Sequence, residues 1–210
     1  MHQLGTGRQR GTTLVELMVG VVILAFLLAI GVPSMSTWIS TNKAVSAAEF
    51  YGDGFAMARR QAVSHNAASR IVLIPNPNNG QLDWQVDVCY PIPGTPCNDT
   101  TGVWSTPITA ATNDPQGLNG YKSVLRPADA LPPATRLVPK LEPAGTSAVY
   151  FTSLGWVDTG YDDRLSRIRL DPAGQNASEI PPVAIAVSLS GMVIKCNPVL
   201  FAPDSRACPQ

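Results

Sequence analysis

Charge is scarce in this chain and balanced in sign. Only 14% of its 210 residues are charged, 15 basic against 15 acidic. A formal net charge of zero excludes a protein that holds a polyanion by bulk attraction. Histidine is rarer still, with His2 and His65 alone. No GxSxG, HExxH, P-loop or dinucleotide fingerprint occurs, so no enzymatic activity is expected and no cofactor is implied. The four cysteines contain no CxxC pair, which argues against a structural zinc site. A lone histidine such as His65, at the end of a helical pattern, reads as a partner of the helix carboxyl end rather than as a base.

Apolar sequence is plentiful in one place. Arg8 and Arg10 precede Gly11, and the stretch from Leu14 to Val32 carries a single charge, Glu16, in 19 residues. At ~1.5 Å per residue that is about 28 Å of helix, near the ~30 Å of a bilayer core. The basic flank predicts a cytoplasmic amino terminus and an outward-facing remainder. An acid in a membrane helix costs on the order of 2.5–3.5 kcal/mol at mid-membrane and less toward an end, so Glu16 requires a partner. An ordinary secretory signal is the competing reading, with Gly31, Ser34 and Ser36 as its small-residue site. It accounts neither for Glu16 nor for the helical pattern that continues past Pro33.

That pattern is an apolar stripe, Ala44, Ala48, Tyr51, Phe55, Ala58 and Ala62, with Lys43, Glu49, Asp53, Arg59 and Arg60 off it. One helix from about Leu14 to Asn66 is predicted, roughly 80 Å long and bent or locally unwound near Pro33. After residue 75 proline and glycine become frequent. Strands are predicted at Arg70–Pro75, Leu82–Val88, Tyr121–Leu125, Arg136–Val138, Ala148–Thr152, Arg167–Leu170, Val183–Ser188 and Met192–Cys196, the last two as a hairpin. The segment from Pro91 to Gly120 shows no period and reads as a long surface excursion. The fold class is therefore α+β, a long amino-terminal helix packed on an antiparallel sheet head. The divisions are 1–11, 12–33 for the spanning half of the helix, 34–66 for its amphipathic half, and 67–210 for the head.

The cysteines fall into two local pairs, Cys89 with Cys97 and Cys196 with Cys208, the simplest of three connectivities. Outside the cytoplasm both bonds persist.

The junction Gly11-Thr12-Thr13-Leu14-Val15-Glu16 resembles the type IV pilins and the pseudopilins of type II secretion. The resemblance implies cleavage by a prepilin peptidase after Gly11 and a methylated amino terminus at Thr12. It also implies a fifth-position glutamate, Glu16, that pairs with a neighbour's amino terminus, and a helix-distorting proline at Pro33. The family's usual first mature residue is Phe, and here it is Thr12. Removing Arg8 and Arg10 leaves 13 basic against 15 acidic side chains, about −2. The helix end from Ala58 to Asn66, Tyr150-Phe151, Gly155 and Ser190–Cys196 resemble the subfamily of secretion pseudopilin H (GspH) and the minor pilins FimT and FimU. Implied partners are other pilins or pseudopilins, the peptidase, the inner-membrane assembly platform and the membrane itself. The implied location is the inner membrane with a periplasmic head, then a pilus or pseudopilus.

Three roles follow from that resemblance: a minor pilin, an H-type pseudopilin of a secretion piston, and a DNA-uptake subunit. The DNA-binding members use two arginines in a terminal Gly-Arg-x-Arg motif, and here those positions read Gly191-Met192-Val193-Ile194. Arg164, Arg167, Arg169, Lys195 and Arg206 remain as candidate phosphate contacts. Arg164, Arg167 and Arg169 are better read as partners of Asp162, Asp163 and Asp171, and nucleic acid is not the expected partner. Asp162 and Asp163 read as a solvated turn in preference to a calcium site.

Overall fold

The computed structural model describes residues 12–161, 164–174 and 177–209, side chains 32–34 excepted. Helix α1 runs from Leu14 to His65, within a residue of the predicted end. Position 33 lies inside it without an interruption, so the expected local unwinding is not observed there. Residues through Ile39 form one compact unit and Ser40–Gln210 a second.

The carboxyl end of α1 shows why the helix stops. Asn66 adopts φ 47°, a left-handed conformation that asparagine tolerates. The Ala67 N–H then donates to the Ala62 carbonyl and the Asn66 N–H to that of Val63, at 3.1 and 3.3 Å. This pair of bonds satisfies carbonyls the helix would otherwise leave open.

Among the described residues the head contains eight strands where eight are predicted, arranged in two four-stranded antiparallel sheets rather than one. The first has the order β3 (Val124–Arg126), β2 (Leu82–Cys89), β1 (Ala68–Pro75), β5 (Ala148–Phe151). The second has β4 (Leu137–Glu142), β6 (Arg167–Pro172), β7 (Val183–Val187), β8 (Val193–Cys196). The predicted hairpin is β7–β8, closed by Ser188 and Met192.

One core joins the helix stripe to both sheets. All six stripe residues are buried, together with Ile71, Trp84, Val149 and Phe151 of the first sheet and Ile168, Leu170 and Ile185 of the second. Gly54 allows the closest approach, since a Cβ there would stand 2.7 Å from Ile71 Cδ1 and 3.0 Å from Trp84. A mid-helix glycine costs roughly 0.5–1 kcal/mol against alanine. Here that cost lets the helix lie close on β1 and β2. Two buried polar contacts fix the register: Ser69 Oγ donates to the Ala58 carbonyl at 2.6 Å, and Trp84 Nε1 to that of Phe50 at 3.0 Å.

The excursion from Pro91 to Gly120 is more than surface. It returns across the outer face of the first sheet, where Ser105 exchanges bonds with the Val88 backbone and Tyr121 Oη donates to the Val86 carbonyl. Asp87, which alternation places on the solvent face of β2, is fully buried beneath it. Arg70 Nε (2.8 Å) and Gln85 Nε2 (2.7 Å) pair with its carboxylate, and Trp104 stacks 4.4 Å over the Arg70 guanidinium.

Candidate functional site

The processing junction begins with a cap. Thr13 precedes the first helical residue, and its Oγ1 accepts the Glu16 N–H at 3.3 Å while its carbonyl accepts the Leu17 N–H at 3.1 Å. Threonine as the cap with glutamate three positions on is a capping pairing, and an acid in the first turn meets the positive end of the helix dipole. The pattern Thr13-x-x-Glu16 is visible in the sequence, but attention to the acid alone passes over it. The consequence is local: one of the open first-turn amides, that of Glu16, is satisfied by the neighbouring Thr13 side chain. Gly11 lies outside the described residues, as do the Pro33 side chain and Asp162 and Asp163.

Beyond the cap, the apolar surface is unpartnered. Leu14, Val15, Leu17 and Met18 are more than 60% exposed, and Phe26, Leu27 and Ile30 likewise. Segment 14–32 is long and apolar enough to cross a membrane, and its most hydrophobic window is wholly uncovered by the rest of the chain. A core helix of a soluble domain has the same composition but is covered. The Glu16 carboxylate has no ion-pair partner among the described residues.

Each candidate phosphate contact is occupied within the chain. Arg167 pairs with Glu142, Arg169 with Asp171, Lys195 with Glu49 at 3.3 Å and Arg206 with Asp204 at 2.9 Å. Arg164 donates to the Tyr161 carbonyl at 2.9 Å. Asp171 also receives Lys140 at 2.8 Å. Burial raises its pKa, but the hydrogen bonds from Lys140 and Arg169 outweigh this and hold it below the ordinary carboxylate range. The Arg206 hydrogen bonds hold Asp204 down at about 2. Of the acids expected as partners, Asp171 takes Arg169, while Asp162 and Asp163 lie outside the described residues; Arg167 reaches across to Glu142 on β4.

Both disulfides are local. Cys89–Cys97 and Cys196–Cys208 span 8 and 12 residues, and the second carries a bridge between Asn197 and Ala207 that lays the tail beside the end of β8. His65 lies at the helix end with Nδ1 3.3 Å from Tyr90 Oη and its ring against Tyr121. Among the described residues no group of three or more His, Cys, Asp or Glu is placed to hold a metal. A shallow hollow of about 250 Å³, lined by Lys43, Ser46 and 130–133, contains no catalytic pair.

Residues 6–32 match the family model of the prokaryotic N-terminal methylation motif. That match covers the whole junction, from the basic leader through Glu16 to the end of the apolar run. The chain thus carries the amino-terminal segment of type IV pilin-like, prepilin-processed proteins, joined to a helix that continues into an α+β head. No curated protein and no solved structure matches it.

Proposed function

We propose that this chain is a non-enzymatic minor pilin of the GspH/FimT type, built into a type IV pilus after its leader is removed. The observation that carries this reading is one junction. The methylation motif at 6–32 coincides with a capped helix start whose apolar surface is uncovered and whose acid, Glu16, has no ion-pair partner among the described residues.

The mechanism follows from the physics of that acid. Before assembly the chain is a single-span protein of the inner membrane, its head in the periplasm. Cleavage after Gly11 frees the Thr12 amine, which methylation leaves positively charged. Glu16 pairs with the amine of a neighbouring subunit. Assembly thereby removes a cost of up to about 3 kcal/mol that the lone carboxylate carries in hydrocarbon. The uncovered apolar surface passes from lipid to neighbouring helices, and the head is displayed outside. Pairing of Arg167, Arg169, Lys195 and Arg206 within the head supports a reading without nucleic acid. The disulfide-closed tail and the size of the head favour the pilus over the secretion piston, which shares the same assembly steps.

Mass spectrometry of the protein from native membranes, with and without the prepilin peptidase, tests this. A chain starting at methylated Thr12 only when the peptidase is present is expected. A start near Met35, or a processed-size product from Gly11→Ala, would overturn the reading. Glu16→Ala is expected to be processed and yet absent from sheared filaments.

A further inference from the structure

Trp38 stands on α1 with 66% of its surface exposed, and near it Met35 is 62% and Ile39 39% exposed. Its indole N–H has no hydrogen-bond partner among the described residues, whereas Trp84 Nε1 donates to the Phe50 carbonyl and Trp104 Nε1 to that of Asn98. A large ring with a donor at one end suits a layer that is apolar on one side and rich in acceptors on the other. The boundary between lipid headgroups and acyl chains is such a layer, and tryptophan concentrates there.

The spacing from Glu16 says which part of the helix that boundary meets. No charged residue lies between Glu16 and Lys43, and 26 residues at ~1.5 Å each make about 39 Å of helix, more than the ~30 Å of hydrocarbon. Absence of charge alone therefore leaves the register of the span open. With hydrocarbon over 14–32, Glu16 lies inside it and Trp38 stands about 9 Å beyond its outer edge, past an interfacial layer of roughly 5–8 Å. With hydrocarbon over 17–37, 21 residues cover about 31 Å, and Glu16 and Trp38 fall at the two boundaries together. The second register puts Ser36 and Thr37 at the outer edge of the hydrocarbon, and both already have interaction partners within the chain. A helical hydroxyl can donate to a carbonyl one turn back, which suits that depth. Beyond Trp38 the helix continues through Ser40, Thr41 and Asn42 to Lys43, a polar run that belongs in water.

We propose that Trp38 seats in the headgroup–acyl boundary of the periplasmic leaflet, and that before assembly the chain crosses hydrocarbon with residues 17–37. The partner is a lipid surface: ester and phosphate oxygens accept the indole N–H, and the ring lies with Met35 against the upper acyl chains. Glu16 then rests where water reaches its carboxylate. The cost given above as an upper limit is met only when the helix is drawn outward, the step at which a neighbour's amine becomes its partner. This inference rests on the membrane-spanning part of the pilin reading and adds the register of the span.

The test is tryptophan fluorescence of the full-length protein in vesicles of phosphatidylethanolamine and phosphatidylglycerol, with Trp38→Phe as the reference. The difference between the two emission signals isolates Trp38, because Trp84, Trp104 and Trp156 are common to both. Lipid brominated next to the ester is expected to quench that difference about twofold more than lipid brominated near the chain end. Met35→Trp combined with Trp38→Phe sets the indole about 4.5 Å deeper and is expected to lower that ratio. Equal quenching by the two lipids, stronger quenching from the chain end, or quenching by aqueous iodide alone would overturn the register. A ratio that Met35→Trp leaves unchanged would overturn it too. Resistance to alkaline carbonate, read on the same vesicles, reports insertion. A chain released by carbonate loses the spanning reading and this inference with it, whereas an inserted chain with Trp38 in water loses the register alone.

Discussion

Tyr51→Phe isolates one hydroxyl at the point where the helix meets both sheets. Tyr51 is fully buried; its Oη donates to Gln81 Oε1 and accepts the Leu82 N–H, both at 3.1 Å. Gln81 Nε2 in turn donates to the Pro132 and Leu137 carbonyls, both at 2.7 Å, which ties β2 to the entry of β4. Phenylalanine keeps the ring and its packing, but leaves the Leu82 donor and the Gln81 acceptor buried without partners. Each such group costs about 1–3 kcal/mol, partly offset because the hydroxyl itself is no longer buried. The expected loss is about 2–4 kcal/mol in guanidinium unfolding of Ser40–Gln210 with disulfides intact, at an unchanged slope. Alkaline pH gives a second reading of the same contact. Burial foremost, opposed by the Leu82 hydrogen bond and aided by Asp83, pushes the Tyr51 phenol up to about 12. A raised folded pKa means that the contribution is complete below the unfolded value of about 10 and is lost as pH climbs to about 12. The rise from about 10 to about 12 corresponds to about 3 kcal/mol. The gap between parent and variant is therefore expected to narrow strongly from pH 9 to pH 12. Tyr121, also raised to about 12, titrates in both proteins and cancels. A loss under about 0.5 kcal/mol at neutral pH, or a gap constant across that window, would refute the argument.

Two further substitutions probe the approach of Gly191 to Gly155 and the tail. Gly191→Ala forces a side chain onto φ 75° and puts its Cβ 2.2 Å from the Gly155 carbonyl oxygen, whereas Gly94→Ala meets φ 79° with open space. The first is expected to cost about 2–4 kcal/mol and the second about 1, and equal losses by thermal unfolding would show that the close approach is not binding. Replacing Cys196 and Cys208 together by serine releases a loop of separation 12 and is expected to lower stability by about 2–3 kcal/mol. Limited proteolysis should then cut between residues 197 and 207, and an uncut tail would mean that the Asn197–Ala207 bridge suffices.

What was legible in the sequence was periodic. The stripe from Ala44 to Ala62 announced the buried face of α1 because a helix repeats its contacts every three or four residues whatever it packs against. The alternation from Leu82 to Val88 announced β2 in the same way. Partner choice carries no such period. β1 pairs with β2 through a short turn, but its other neighbour is β5, more than seventy residues on, so the division into two sheets was not readable. Asp87 shows the limit most plainly. Alternation assigns it to water, and it is buried only because the excursion folds back over β2 with Ser105 and Trp104. Trp104 within this aperiodic, proline-rich segment, with Tyr90 and Tyr121 at its two ends, is the available signal that the segment has something to cover.

The junction differs because its information is chemical and local. A glycine after arginines, a threonine cap and one acid in an otherwise apolar run each answer a constraint set within a few residues: cleavage, orphan amides, a charge in hydrocarbon. No tertiary partner is needed to read them.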